Sequence, residues 1–306
     1  MTAKSRIGVL TVAITAAALV GACSVSQSET EPTRVPDAAT ATARVSELES
    51  AHHARVGVFA VDTKTGVFLG YRENERFPIG STFKTLAVAA LLREHPLADG
   101  YFDTVIHFTA DDLVKYSPVT ETRVDTGMTV RELAAAAIEK SDNTATNELL
   151  KLLGGPTSIT KFVRTLGDTA TSLDDWEPLS NSGDTNPEHN STTPAALAAD
   201  YRALISGDAL PAPERAQLTE WLLRSTTGLN RIRAGLPQDW KTGDKTGGGD
   251  YGLTNDAAVT WPPNSDSPIV ITVLSINTEE HAPADDPLVA QSAKAVVEAL
   301  HPAAHG

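Results

Sequence analysis

The stretch from Arg55 to Tyr71 reads RVGVFAVDTKTGVFLGY. Residues 55–63 alternate with the two-residue period of a strand, and VFLGY follows at 67–71. Between them, Lys64-Thr65-Gly66 is short, polar and ends in glycine, which predicts a hairpin turn without a chemical role. The other end of the chain has the same character: Asp256–Trp261 and Pro268–Ile276 (PIVITVLSI) are apolar and β-branched, and a closing helix is expected over 287–300. Strands at both ends with helices between them predict an α/β fold, an antiparallel sheet flanked by helices and built from both termini, with an all-helical lobe inserted. The α/β lobe is expected over about 44–76 and 224–303, the helical lobe over about 77–223, with a ligand cleft between them.

Local signals mark the helices. Ser81–Arg93 (STFKTLAVAALLR) is apolar almost all round and predicts a buried helix. Thr129 and Glu132 have capping-box spacing and open a helix to Lys140. Further helices are expected over 143–153, from Pro156 to Gly167, from Pro194 to about Leu204, and from Pro213 to about Arg224.

The 306 residues carry a net charge of −14, which argues against nucleic acid as a partner, because phosphate binding needs a basic face. Lys4 and Arg6 precede an apolar run from Ile7 to Val20, too short for a convincing membrane span, so residues 1–22 read as a signal peptide. The run ends in Leu19-Val20-Gly21-Ala22-Cys23, which resembles a bacterial lipobox with Cys23 as the lipidated first residue. Residues 23–43 then form a Ser/Thr/Glu/Pro/Ala-rich flexible tether, and the folded domain occupies 44–303. Cys23 is the only cysteine, so no internal disulfide can form. The eight histidines include no His-x-His pair, and Pro302 separates His301 from His305; neither a metal nor a cofactor is expected.

Ser-x-x-Lys occurs twice. At Ser158/Lys161 the apolar residues Ile159, Phe162, Val163 and Leu166 fill the opposite helix face, which leaves the pair solvated. At Ser81/Lys84 the lysine lies among Phe83, Leu86, Val88, Leu91 and Leu92. The i, i+3 spacing sets its amine beside the serine hydroxyl, and burial would lower its pKa enough to take the serine proton. A capping serine with a snorkelling lysine accounts for this pair equally well. Ser141-Asp142-Asn143 falls between two helices and could be no more than a cap. The irregular stretch 171–190 is long enough to suggest function and holds Glu177 between Trp176 and Pro178.

Ser81/Lys84, Ser141/Asn143, Glu177 and Lys245-Thr246-Gly247, in that order and spacing, resemble the class A serine β-lactamases over roughly 45–301. "FPIGSTFK", "KSDNTATNELL" and "GDKTGGGDYGLTNDAAV" carry the likeness. It implies a serine β-lactamase/penicillin-binding-protein-like fold and a monomer that hydrolyses small β-lactam substrates. Ser81 would attack the lactam carbonyl, with the oxyanion between the N–H groups of Ser81 and Gly248. Ser141, helped by Lys84 and Lys245, would pass a proton to the leaving nitrogen. Asn143 would hold the substrate's side-chain amide, Tyr116 would line the entrance, and Thr246, Lys245 and Arg231 would meet its carboxylate. Glu177 and Asn181 would position the deacylating water. Lys245-Thr246-Gly247 would be the strand beside the nucleophile, where glycines 247–249 let a substrate lie against the backbone, and Lys241-Thr242-Gly243 the loop entering it.

The chain departs from the family in the loop. Ser180 stands where the family usually has leucine, and Asp175 and Asn190 replace the arginine–aspartate pair at the loop neck. The loop is expected to be held differently, or less firmly. The same three motifs occur in penicillin-binding D,D-peptidases, against which Glu177 speaks, and a receptor that acylates without turnover is the non-enzymatic alternative.

Overall fold

A computed structural model describes residues 1–2, 33, 35, 38–181 and 188–301, Asn181 by its backbone alone. Cys23 and nearly all of the expected leader and tether lie outside the described residues. Five strands form one antiparallel sheet: β1 (Ala54–Asp62), β2 (Phe68–Tyr71), β3 (Lys241–Gly248), β4 (Thr254–Trp261) and β5 (Ile269–Asn277), in the order β2-β1-β5-β4-β3. β1 pairs along its whole length with β5, Ala54 opposite Asn277 and Asp62 opposite Ile269, so the two ends of the chain meet in the middle of the sheet. The turn between β1 and β2 contains Lys64-Thr65-Gly66; Gly66 takes a positive φ of 72° and its N–H closes on Asp62 O.

Both faces of this sheet are buried, and its strands show why. In β1, Val56, Val58 and Ala60 point to one side, toward α1 (Ala38–Ala51) and α8 (Asp286–Leu300). Phe59 and Val61 point to the other, toward the helical part of the chain. That part comprises α2 (Lys84–Glu94), α3 (Val130–Glu139), α4 (Asn143–Leu152), α5 (Thr157–Leu166), α6 (Pro194–Ile205) and α7 (Ala212–Leu223). Phe83, Leu86, Leu91, Leu133, Leu149, Val163, Tyr201 and Trp221 share its single core with Val259, Val270 and Leu274 of the sheet. Gly57 is required where α6 approaches: a Cβ there would lie 2.5 Å from the Phe77 ring and 2.7 Å from Pro194. The capping box expected at Thr129 and Glu132 is present, with both reciprocal bonds formed.

Two expectations need correction. The tether does not extend to residue 43, because α1 already starts at Ala38 and buries Ala41, Val45 and Leu48, spaced i, i+4, i+7. Ahead of it, Val35 N–H and Thr33 O bond the backbone of Phe68 at 2.9 Å each, adding an edge pairing to β2. Alanine-rich composition looks like a linker until a sheet covers one of its faces. Lys241-Thr242-Gly243 is not an entering loop but the first part of β3. There the Thr242 and Thr260 hydroxyls pair across the strands at 2.7 Å, and Gly243 lets the strand pack under α7, 3.0 Å being left between a built Cβ and Leu222 Cβ.

Candidate active site

Gly80 takes a positive φ of 52° and starts a 3₁₀ turn, Gly80–Phe83, that runs straight into α2. The turn is fixed from below: the Tyr201 hydroxyl of α6 reaches Thr82 O at 3.1 Å and Thr85 Oγ1 at 2.8 Å. Ser81 therefore stands at the head of a buried helix, with its own side chain nearly covered. Its hydroxyl donates to Glu177 Oε1 at 3.0 Å and not, as the spacing suggests, to Lys84. The fully buried Lys84 amine bonds Ser141 O (2.8 Å), Ser141 Oγ (3.3 Å), Asn143 Oδ1 (2.6 Å) and Glu177 Oε1 (3.1 Å). A buried ammonium requires such acceptors, and the same carboxylate draws the serine hydroxyl to itself. Burial lowers the Lys84 pKa, partly opposed by the charge of Glu177.

Ser141-Asp142-Asn143 is both a cap and a site. Asp142 caps α4 by accepting from Ala145 N–H at 2.8 Å, and it also ties down Val119 and Thr120. The flanking residues are thereby turned outward. Ser141 is held at a left-handed φ of 58°, a conformation non-glycine residues seldom adopt, and Tyr116 at 65°. The two segments are laced together by Asn143 N–H to Tyr116 O (3.0 Å) and Asn143 Nδ2 to Lys115 O (2.9 Å).

Lys245, on β3, is also fully buried and donates to Ser141 Oγ at 2.9 Å and Thr246 O at 2.8 Å. Burial, and then the neighbouring charge of Lys84, push its pKa well down. Gly247 follows where β3 approaches the Ser81 turn: a Cβ there would lie 3.3 Å from Ser81 N. Gly248 and Gly249 are exposed beside it. Arg231 donates to Gly247 O (2.6 Å) and Asn255 O (2.8 Å) and is paired with Asp286 at 2.7 Å. Arg233 pairs with the buried Asp244.

Glu177 is held more firmly than its loop sequence suggests. Asn147, on the face of α4 below it, accepts from Glu177 N–H and donates to Glu177 O, both at 3.0 Å. Ser180 Oγ donates to Oε2 at 2.9 Å. At the neck, the buried Asn190 does more than share one hydrogen bond with Asp175. Its Oδ1 accepts from the N–H groups of Asp174 (2.9 Å) and Asp175 (3.1 Å), and its Nδ2 donates to Asp175 Oδ2 (2.9 Å). Of the two expectations for the loop, its neck is held differently: an amide offers both a donor and an acceptor, whereas the usual aspartate offers acceptors alone.

These groups meet at a cleft of about 720 Å³ lined by Ser81, Tyr116, Ser141, Asn143, Arg231, Thr246, Gly247 and Gly248 among others. Lys84, Glu177 and Lys245 lie buried beneath its floor. The side chain of Asn181 is outside the described residues. Sequence reasoning missed Lys115, Thr227 and Asp250 on the walls, Asn147 beneath Glu177, and Asp286 behind Arg231. Asn147, one helical turn from Asn143, was findable from its spacing; the others carry no local signal. The second Ser-x-x-Lys stays on the surface, Lys161 exposed and Ser158 bonded to Gly155 O.

The match to known proteins has the same extent as the folded body. The model of the β-lactamase enzyme family matches residues 40–300. The reconstructed class A β-lactamase of the last common ancestor of Gram-negative bacteria superposes with a TM-score of 0.82 at 48% identity, covering 86% of this chain and 100% of the other. The chain belongs to the class A β-lactamase family. β-Lactamase AST-1 of Nocardia asteroides is 55% identical over 301 residues, 97% of this chain and 96% of that protein. The β-lactamase structure from Streptomyces albus G has a TM-score of 0.81 at 46% identity, covering 84% and 98%. In this class A β-lactamase the sheet and the helical segment meet as that family's fold requires.

Proposed function

We propose that Ser81 is the nucleophile of a two-step hydrolysis, with every proton moved by a group already hydrogen-bonded to the next. The enzyme hydrolyses the β-lactam ring of penicillins and cephalosporins through a serine acyl-enzyme, an activity that confers resistance to those antibiotics. The reading is carried by one observation: Ser81, Glu177, Lys84, Ser141 and Lys245 form an unbroken hydrogen-bonded chain beneath the cleft. Ser81 Oγ attacks the lactam carbonyl as its proton passes to Glu177 Oε1, 3.0 Å away. Lys84, whose pKa burial lowers, bonds the same carboxylate oxygen at 3.1 Å and is the second base of the site. The oxyanion is received by the N–H groups of Ser81 and Gly248. The C–N bond breaks as Ser141 Oγ gives its proton to the leaving nitrogen; Lys84 replaces that proton and takes up the one held on Glu177, which returns the carboxylate to its charged form, while Lys245 also holds the Ser141 oxygen.

Glu177, with Asn181, then deprotonates a water that attacks the ester and frees Ser81. Asn143 and Tyr116 hold the substrate's side chain. Thr246, Lys245 and Arg231 attract its carboxylate; Thr246 Oγ1 already meets the Thr227 hydroxyl at 2.7 Å. Glu177→Gln tests the assignment: it should form a penicillin adduct, seen by mass spectrometry, and hold it. Parent-like turnover would defeat the role given to Glu177. Catalytic turnover of a chromogenic cephalosporin by the parent protein supports hydrolysis. A single stoichiometric burst without turnover would make it a receptor or a penicillin-binding D,D-peptidase, since both are acylated and neither turns the antibiotic over.

The protein is exported as a monomer, with a signal peptide over 1–22, and is either anchored to the outer face of the cell membrane by a lipid on Cys23 or periplasmic. The lipobox-like run ending at Cys23 supports the anchor. Cys23→Ser should release an active enzyme from the membrane fraction; unchanged detergent partitioning would count against the anchor.

A further inference from the structure

We propose that Ser180 is a positioning residue for deacylation, its hydroxyl orienting the Glu177 carboxylate while Ser81 is esterified. The proposal rests on the reading of Glu177 as the residue that activates water. Ser180 is buried at 2% exposure on the turn Leu179–Asn181, with its N–H on Trp176 O at 3.2 Å. Asn147 holds both backbone groups of Glu177, but it leaves the side-chain torsions free. Those are set by donors to the carboxylate. Ser81 Oγ and Lys84 Nζ both address Oε1, whereas Ser180 Oγ addresses Oε2 at 2.9 Å.

The Ser81 and Ser180 hydroxyls behave differently during the reaction. Once Ser81 carries the acyl group, its oxygen is an ester oxygen with no proton to donate, so Oε1 loses that partner. Ser180 is chemically untouched, and its bond to the second oxygen persists through the step in which the carboxylate must face the water. Small displacements of a catalytic base lower its rate strongly. Loss of the Ser180 hydroxyl should therefore slow deacylation more than acylation. A hydroxyl here also explains how the loop tolerates a polar residue in a buried position: it is satisfied by the carboxylate it orients.

The test follows the decay of a preformed benzylpenicillin adduct by mass spectrometry, together with kcat/KM, in the parent protein, Ser180→Ala and Glu177→Gln. The Ser180→Ala adduct should decay about tenfold more slowly, a typical loss for a hydrogen bond to a charged group. kcat/KM, which reports acylation, should stay at the parent value. A purely structural effect would lower kcat/KM by reducing the active fraction and leave the decay of each adduct unchanged. If Glu177→Gln traps the adduct while Ser180→Ala releases it at the parent rate, the role of Ser180 falls alone. If Glu177→Gln also releases at the parent rate, the reading of Glu177 itself fails.

Discussion

The two Ser-x-x-Lys copies share a four-residue pattern and a helical setting, yet only one lies at the cleft, where we propose the reaction takes place. Around Ser81 and Lys84 the polar groups are buried and bonded to each other, with a carboxylate, a second lysine and a strand edge converging from elsewhere in the chain. Around Ser158 and Lys161 the side chains close a helix start or face water. The second region still has a task. Arg164 of α5 holds Asp168 O at 2.7 Å and Thr171 O at 2.9 Å, and Thr160 Oγ1 accepts from Leu173 N–H, so this helix carries the foot of the Glu177 loop. Reactivity follows from which partners desolvation forces together, not from the pattern they share.

The sharpest way to break this comparison is to remove each serine. Ser81→Ala should lose kcat by about a thousandfold or more and give no penicillin adduct, while Ser158→Ala keeps parent kinetics. An adduct on the Ser81→Ala protein would overturn the assignment. Between the two regions lies the loop neck, where Asn190→Ala strips the part-buried N–H groups of Asp174 and Asp175 of their acceptor. Denaturant unfolding should show a loss of about 1–3 kcal/mol, with kcat falling as the loop loosens. A change below about 0.5 kcal/mol would mean the remaining neck contacts suffice.

A further expected effect concerns pH and separates the two regions by readout. Behind α5, the carboxyl of Asp200 is pushed up to about 9, first by burial and then by the charge of Asp168, with Arg164 opposing. The folded chain therefore keeps a proton that the unfolded chain releases near pH 4. The contribution of Asp200 to stability is complete below about pH 4 and declines as pH rises toward about 9. Asp200→Asn removes that decline. Its melting temperature relative to the parent should climb between about pH 5 and pH 9, with the pH profile of kcat unchanged. Parallel melting curves across that range would show that Asp200 does not titrate as its surroundings require.

The elements of this protein were readable because their signals are local. The alternation of Arg55–Thr63, the capping box at Thr129 and Glu132, the proline opening α6 and the glycine after α5 each act within a few residues. The ordered motifs carried the family, and the apolar surroundings of Lys84 separated it from Lys161. Tertiary structure decided what depends on distant neighbours. Helix α1 became visible only as a face covered by the sheet and α8. Lys241-Thr242-Gly243 became strand because α7 packs over Gly243. Ser81 found its hydrogen-bond partner 96 residues away, and the Ser180 and Asn190 side chains turned apparent losses into anchors. A buried polar group takes whatever partner the fold brings within about 3 Å, and chain order near that group says nothing of who it will be.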